Sequence, residues 1–285
     1  MKKINIEEKI YPDNLRRIEN PPKQLYLEGN IKLLNSIGIG IVGSRNCSEY
    51  GRRMTKRFAK ALGEYSITII SGMAVGIDSL AHTEAIKNGT YTIAVLPSGL
   101  KNIYPKENIK LYKEILANNG LVITEYDEKH KAQYQNFLDR NRIVSGLSIG
   151  ILVVEGGHRS GTSVTAKLAL EQNKKVFCIP SSLENPKGIT PNRLIKEGAK
   201  ITTEVEDILE EYPELEFKIK EISQTRSIPE EYQDIYNIIK YNGKININEI
   251  VRKTKINIKE VNYKLMMLEL EEKIVALPGK NFEIQ

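Results

Sequence analysis

The sequence predicts an α/β domain on a mostly parallel sheet, followed by a small winged-helix-like α+β domain. Three observations carry that expectation. Between residues 37 and 203 short apolar runs recur, each followed by a glycine-bearing turn and then a helical pattern. The runs are apolar at nearly every position, as strands covered on both faces require. After residue 213 the alternation stops, and a charged stretch leads into a helix, helix, helix, hairpin outline.

Taken in order, residues 1–36 read as an N-terminal extension packing on the core of the α/β domain, which occupies 37–212. "IGIGIV" (37–42) leads to Gly43 and a basic helix from Tyr50 to Glu64. "ITII" (67–70) leads to "SGMAVGIDSLAHTEAIKNG", a turn and then a helix ending at Gly89. "YTIAVL" (91–96) precedes "PSGLKNIYPKEN" and a helix rich in Leu and Lys. "GLVITEY" (120–126), "GILVVE" (150–155), "KVFCIP" (175–180) and "AKIT" (199–202) complete the series of strands. Residues 213–228, charged and proline-bearing, read as a linker. The rest, 229–285, fits three helices and a hairpin turning at Pro278-Gly279.

Bulk properties narrow the function. The formal charge is +6 and the pI about 9.0, a balance that favours a polyanionic partner. The excess lies in the first domain, because residues 216–285 hold 12 Lys and Arg against 11 Asp and Glu. The third helix of the last domain, "KEVNYKLMMLELEEK", carries Glu260, Glu269, Glu271 and Glu272. A reader of the major groove needs basic and amide side chains there, so a protein-contact role fits better. Two cysteines, Cys47 and Cys178, are too few for a disulfide framework and lack zinc-site spacing, which points to a reducing cytoplasm. The N-terminus lacks the apolar segment of a signal peptide, and no apolar run reaches membrane-spanning length. No membrane partner, cofactor or metal is expected.

"GIGIVGSRN" (38–46) matches G-x-G-x-x-G, yet Gly38 and Gly40 fall in the strand itself, and the dinucleotide fingerprint begins after the strand. Only Gly43-Ser44-Arg45 stands at the turn. Such a turn suits an anion, since amides point outward and Arg45 can grip phosphate. Similar turns recur at Ser71-Gly72, at Pro97-Ser98-Gly99 and in "GGHRSGTS" (156–163). In a parallel sheet they converge on one carboxyl edge, within reach of "FLDRNRIVSG" (137–146). Together they form a phosphate-recognition surface. Asp78 and His82 share a helix face but have no third partner in view, so Asp78 reads as a helix-start residue and His82 as a satisfied polar side chain. There is no G-x-S-x-G elbow and no Walker lysine.

These stretches resemble the bacterial DNA-processing protein A (DprA) family. The resemblance rests on "YPDNL" (11–15), "PPKQLYLEGN" (21–30), "IVGSRNCSEYG" (41–51), "SGMAVGIDSLAH" (71–82), "AVLPSGLKNIYPKEN" (94–108), "FLDRNRIVSGLS" (137–148), "VVEGGHRSGTSVTAKLA" (153–169) and "GITPNRLIKEGAK" (188–200). It implies an extended Rossmann-like core that dimerises, and a non-enzymatic role in natural transformation. Such a protein binds and protects single-stranded DNA and loads the RecA recombinase onto it. By similarity Arg45 and Lys106 are principal DNA contacts. Ser44, Ser71, Gly72, Arg140, Asn141, Arg142, Ser160, Gly161 and Thr162 line a phosphate pocket beginning at Gly43. Phe137 and Tyr104 adjoin these motifs and either stack on bases or pack into the core. Family members pair through the last part of the Rossmann-like domain, here roughly 160–212. Many relatives carry a further helical domain before the "YP" motif; about ten residues precede it here, so that domain is expected to be absent or removed. "IPS" (179–181) replaces the more usual Ile-Pro-Gly.

Two other classes compete. Phosphoribohydrolases of related fold carry Pro-Gly-Gly-x-Gly-Thr-x-x-Glu, and Thr165 here stands where their glutamate would be, although Glu155 lies nearby. A duplex-specific regulator would act through the winged helix and use basic residues such as Lys259 and Lys264.

Overall fold

The computed structural model describes residues 1–285 apart from 159, 216, 218–227, 272 and 285. The chain divides into two units, Met1–Glu221 and Ile222–Gln285. The linker expected at 213–228 lies largely outside the described residues, as does Glu272.

In the first unit the apolar runs become strands and the turns between them lead into helices. In chain order the elements are β1 (Lys2–Asn5), α1 (Asp13–Arg16), β2 (Gln24–Gly29), β3 (Gly38–Val42), α2 (Glu49–Glu64), β4 (Thr68–Ser71) and α3 (Ile77–Lys87). There follow β5 (Thr92–Val95), α4 (Ile109–Ala117), β6 (Leu121–Thr124), α5 (Tyr134–Leu147), β7 (Gly150–Val153) and α6 (Gly161–Glu171). The unit ends with β8 (Lys175–Cys178), α7 (Ile189–Lys196), β9 (Lys200–Ile201) and α8 (Glu206–Leu209).

One nine-stranded sheet runs in the order β1-β2-β6-β5-β4-β3-β7-β8-β9. The strands from β6 across to β9 are parallel. The N-terminal extension does more than pack on the core: β2 adds antiparallel to β6, and β1 adds antiparallel to β2. From β3 the chain winds outward one way through β4, β5 and β6, then returns to β3's other side for β7. That reversal is a topological switch point, where an open sheet leaves a crevice outside the carboxyl ends of its strands.

Helices cover both faces, which is why the central strands tolerate no polar alternation. On one face Phe58, Ala59 and Leu62 of α2 and Ile77, Ala81 and Ala85 of α3 pack on Ile39, Ile41 and Ile69. On the other, Ile143, Val144 and Leu147 of α5 and Ala166 and Ala169 of α6 pack on Val42, Ile70, Ile151 and Val153. Gly38 and Gly40 serve this packing. A Cβ on Gly38 would collide with Ile70, and one on Gly40 with Ile151 and the Ser148 hydroxyl. The dinucleotide match in "GIGIVGSRN" is therefore coincidental, since both glycines are strand residues.

The second unit has α9 (Glu230–Asn242), β10 (Ile245–Asn246), α10 (Ile247–Thr254), α11 (Ile258–Leu270), β11 (Ile274–Leu277) and β12 (Asn281–Ile284). The expected hairpin is β11–β12, and β10 adds a third strand in the order β10-β12-β11. Ile235, Ile239, Ile250, Val261, Leu265 and Leu268 form its core. Helix, strand, two helices and a two-stranded wing are the winged-helix order. On α11 the exposed side chains include Tyr263, Met266 and Leu270, and Lys264 is paired with Glu260 at 3.2 Å. Lys259 is exposed too, but with Glu260 and Glu269 the helix carries no net charge, and its apolar exposed positions suit phosphates poorly.

Candidate nucleic-acid interface

The turn after β3 is held rigidly. The Ser44 hydroxyl donates to the Asn46 carbonyl at 3.0 Å and accepts from the Asn46 N–H at 3.2 Å. The Ile77 N–H donates to the Ser44 carbonyl at 3.2 Å. Gly76, at φ +90°, brings its backbone against the Ser44 and Arg45 carbonyls, an approach a Cβ would block. A Cβ on Gly43 would collide with Ile77. Glycine at 43 is thus demanded by α3, not by a ligand.

Arg45 is exposed at the rim of this turn. Its guanidinium carbon lies 5.1 Å from the Phe137 ring centroid, a cation–π distance. Phe137, half-buried at the start of α5, meets Tyr104 edge-on at 5.5 Å. Tyr104 is 45% exposed and offers a π face at the surface, while Phe137 lines the pocket with Arg45 over its ring. Lys106, two residues further on, is exposed. Its loop is tied down by Asn108, whose amide donates to the Met73 carbonyl at 2.8 Å.

The turn after β4 makes the floor. Ser71 is fully buried and donates to the Ile41 carbonyl at 2.6 Å. The Gly72 N–H donates to the Asp78 carboxylate at 3.1 Å. Arg140 is 4% exposed; its Nη1 donates to the Gly72 carbonyl and to the Val95 carbonyl at 2.6 Å. Among the described residues its Nε has no partner. Burial brings the Arg140 guanidinium down to about 10, with the Asp78 charge opposing. Burial likewise pushes the Asp78 carboxyl up, against Arg140 and the Ala74 and Gly72 amides. Asp78 and Arg140 are thus two buried opposite charges that bond the Gly72 N–H and carbonyl respectively and clamp its turn. His82, one helical turn further, is buried with Nδ1 2.7 Å from the Thr92 hydroxyl, and burial brings it down to about 3. Its Nε2 has no partner among the described residues.

The loop after β7 ends at the N-terminus of α6. Ser160 caps that helix, and its hydroxyl accepts from the Ser163 N–H at 3.4 Å. Thr190 anchors the loop by donating to the Gly157 carbonyl at 2.8 Å. Gly161 is exposed, and a Cβ there would meet nothing within 4 Å among the described residues. Gly161 thus stands, without a side chain, at the positive end of the dipole of an eleven-residue helix, where the Ser163 N–H is already capped by Ser160.

These three turns and α5 enclose one pocket of about 390 Å³ at the switch point. Gly43, Ser44, Arg45, Gly72, Phe137, Arg140, Asn141, Ser160, Gly161 and Thr162 all line it. Three other expected residues do not. Ser71 lies beneath the floor, and Lys106 is on the surface beyond Tyr104. Arg142 is turned away into an ion pair with Glu125 at 2.6 Å. The pocket also uses Asp78, Tyr134, Leu138 and Thr165, which the motifs did not single out as ligand residues. Helical spacing held the signal for two of them: Tyr134, Leu138 and Asn141 share a stripe with Phe137 on α5. Glu155 is not on the pocket wall. It is fully buried and accepts from the Ser48 N–H at 2.9 Å and from the Ser48 hydroxyl, fixing the start of α2. Thr165 is on the wall, with its hydroxyl donating to the Gly161 carbonyl at 3.3 Å. Among the described residues no group of three or more His, Cys, Asp and Glu side chains is placed to hold a metal ion, and no helix is long and apolar enough to cross a membrane.

Comparison with known proteins gives a consistent picture. A family model described as DNA recombination-mediator protein A matches residues 2–213. The chain is 41% identical over 212 residues to the DNA processing protein DprA of Bacillus subtilis, covering 74% of this chain and 71% of that protein. It is 41% identical to protein Smf of Escherichia coli, over 73% of this chain and 55% of that one. The structure of DprA from Streptococcus pneumoniae superposes with a TM-score of 0.71 at 37% identity, covering 76% of this chain and 75% of that chain. DNA processing protein A of Helicobacter pylori, characterised for its single-stranded DNA binding mode, gives 0.66 at 30% identity over 74% of this chain and 95% of that one.

Proposed function

This chain belongs to the DNA recombination-mediator protein A family, and from that premise we propose that it binds single-stranded DNA at the switch-point pocket. One observation carries the reading. Among the described residues nothing fills the space beside Gly161 at the N-terminus of α6, in the same pocket that Arg45 rims, so a helix terminus and a guanidinium face one space with room for a phosphate. A backbone phosphate sits against that terminus and accepts a charge-assisted hydrogen bond from Arg45. The neighbouring bases stack on Phe137 and Tyr104, a contact that tolerates any sequence. Asp78 and Arg140 keep the Gly72 turn in place beneath them. Lys106 adds a further phosphate contact at the outer end of the aromatic run.

The chemistry is binding without cleavage. Among the described residues no carboxylate but Asp78 lines the pocket, and Asp78 is held by the Gly72 and Ala74 amides, while Glu155 is engaged by Ser48. In the cytoplasm such a protein protects incoming DNA during natural transformation and hands it to RecA for homologous recombination. Two copies pair through residues 160–212, where Leu170, Leu183 and Ile201 are exposed.

The test is a titration of fluorescent single-stranded oligonucleotide, with and without RecA, at stated salt. Wild type prefers single strand over duplex of equal length. Arg45→Ala weakens single-strand binding by roughly tenfold or more, the loss of one charge-assisted contact. Duplex preference that survives Arg45→Ala sinks the proposal.

A further inference from the structure

The basic face of α2 is left unused by that pocket. Thr55, Phe58, Ala59, Leu62 and the glycines Gly51 and Gly63 form the buried side of this sixteen-residue helix. Arg52, Arg53, Lys56, Arg57 and Lys60 are all exposed. At 3.6 residues per turn the five fall within an arc of about 140°. None of them is ion-paired among the described residues. Five neighbouring cations of one sign repel each other, and a helix surface that exists only for solubility intersperses both signs. Here the acids, Glu49 and Glu64, stand only at the two ends of the helix.

The location of this face matters as much as its charge. Residues 43–48 lead directly from the Gly43-Ser44-Arg45 turn into α2. The junction is rigid: Ser48 caps α2 by accepting from the Gly51 N–H at 3.0 Å, and Glu155, next to β7, holds Ser48 in turn. Arg45 is exposed at the pocket rim, and the first cations of α2 follow within two helical turns of chain.

We propose that α2 carries the continuation of the bound single strand: its sugar-phosphate backbone leaves the pocket over Arg45 and runs along the basic face from Arg52 to Lys60. This rests on the pocket reading above. Arg52 to Lys60 spans about 12 Å, which at about 3.4 Å of rise per phosphate accommodates on the order of three phosphates. The contact is electrostatic and without base readout, since five flexible cations in a row present no planar recognition edge. It extends the footprint beyond the pocket and supplies most of its salt dependence.

The experiment compares wild type, the triple variant Arg52→Gln/Lys56→Gln/Lys60→Gln, and Arg45→Ala on oligonucleotides of about 6 and about 30 nucleotides. Glutamine keeps helix propensity, and circular dichroism with a melting curve checks that the fold is intact. The triple variant is expected to bind the short strand like wild type and the long strand at least tenfold more weakly. Its slope of log affinity against log salt on the long strand drops by about 2, since each single-strand phosphate contributes about 0.7. Long-strand affinity within twofold of wild type, while Arg45→Ala is impaired, overturns the α2 proposal alone and assigns the face to another polyanion. Equal losses on both lengths, or a loss confined to duplex, also overturn it. Normal single-strand binding by Arg45→Ala overturns the pocket reading and this one with it.

Discussion

Two glycines of the pocket separate a demand of the fold from a demand of the ligand. Gly161 opens α6, and a Cβ added there meets nothing within 4 Å among the described residues. Gly161→Ala therefore costs no packing. It removes unfolded-state freedom and improves helix propensity, so the protein is unchanged or more stable by up to about 1 kcal/mol. The added methyl nevertheless occupies space in front of the first amides of the helix. If a phosphate sits there, the variant loses one charge-assisted hydrogen bond, about 1.5 to 3 kcal/mol, or roughly 10- to 150-fold in affinity. Gly72→Ala behaves in the opposite way. Its Cβ would strike the Arg140 guanidinium, which is buried and bonded to the Gly72 and Val95 carbonyls. Displacing a buried charge from its partners costs about 3 to 5 kcal/mol, and the loss appears in the fold itself. Urea unfolding and anisotropy titration of a labelled single strand, run on both variants, give the comparison. Gly161→Ala should be stable and weak in binding, Gly72→Ala unstable. Wild-type affinity in a normally stable Gly161→Ala protein would refute the assignment of a phosphate to this helix terminus.

Further outcomes follow from the same contacts. Burial holds His82 near 3 against 6.5 in the unfolded chain, so the unfolded state takes up the proton first on acidification. Its contribution is complete above about pH 6.5 and falls towards pH 3 by up to about 1.4 kcal/mol per pH unit. Urea midpoints from pH 7 to 4 should therefore drop less steeply in His82→Leu than in wild type; identical slopes count against the assignment. Phe58→Ala opens a cavity between α2 and the sheet and should cost about 3 to 5 kcal/mol in urea unfolding. A cost below about 1 kcal/mol would mean that this face of the core can collapse. Lys259→Ala/Lys264→Ala should leave single-strand affinity within about twofold, since Lys264 is already engaged by Glu260. A tenfold loss in the titration would bring the winged-helix unit into the DNA-binding surface.

Much of the fold was legible because burial on both faces leaves a strong mark. Uniformly apolar runs such as "ITII" and "GILVVE" have few alternatives once each ends in a glycine turn. What the pattern could not give was the edge of the sheet. β1 and β2 join it through antiparallel pairing, and "KKIN" carries too little hydrophobic signal to announce a strand. In the site, parallel topology was enough to bring the turns after β3, β4 and β7 to one crevice. Direction along a helix was harder. Arg140 and Arg142 stand two residues apart on α5, hence on different faces. Arg140 braces the floor, while Arg142 pairs with Glu125 away from the pocket.

The glycines show most clearly where sequence stops and geometry starts. Gly43, Gly72 and Gly161 each sit in a turn beside polar residues, and a string of letters treats them alike. The structure does not. Gly43 is glycine because Ile77 needs the room, and Gly72 because Arg140 does. Both would be required in a protein that bound nothing. Of these three, Gly161 alone has its space left unclaimed by the described residues, so there the absence of a side chain leaves room for a ligand in the pocket. This shifts the phosphate grip along the crevice. The Gly43-Ser44-Arg45 turn contributes through the Arg45 side chain, while the backbone cradle belongs to the loop after β7 and the first turn of α6.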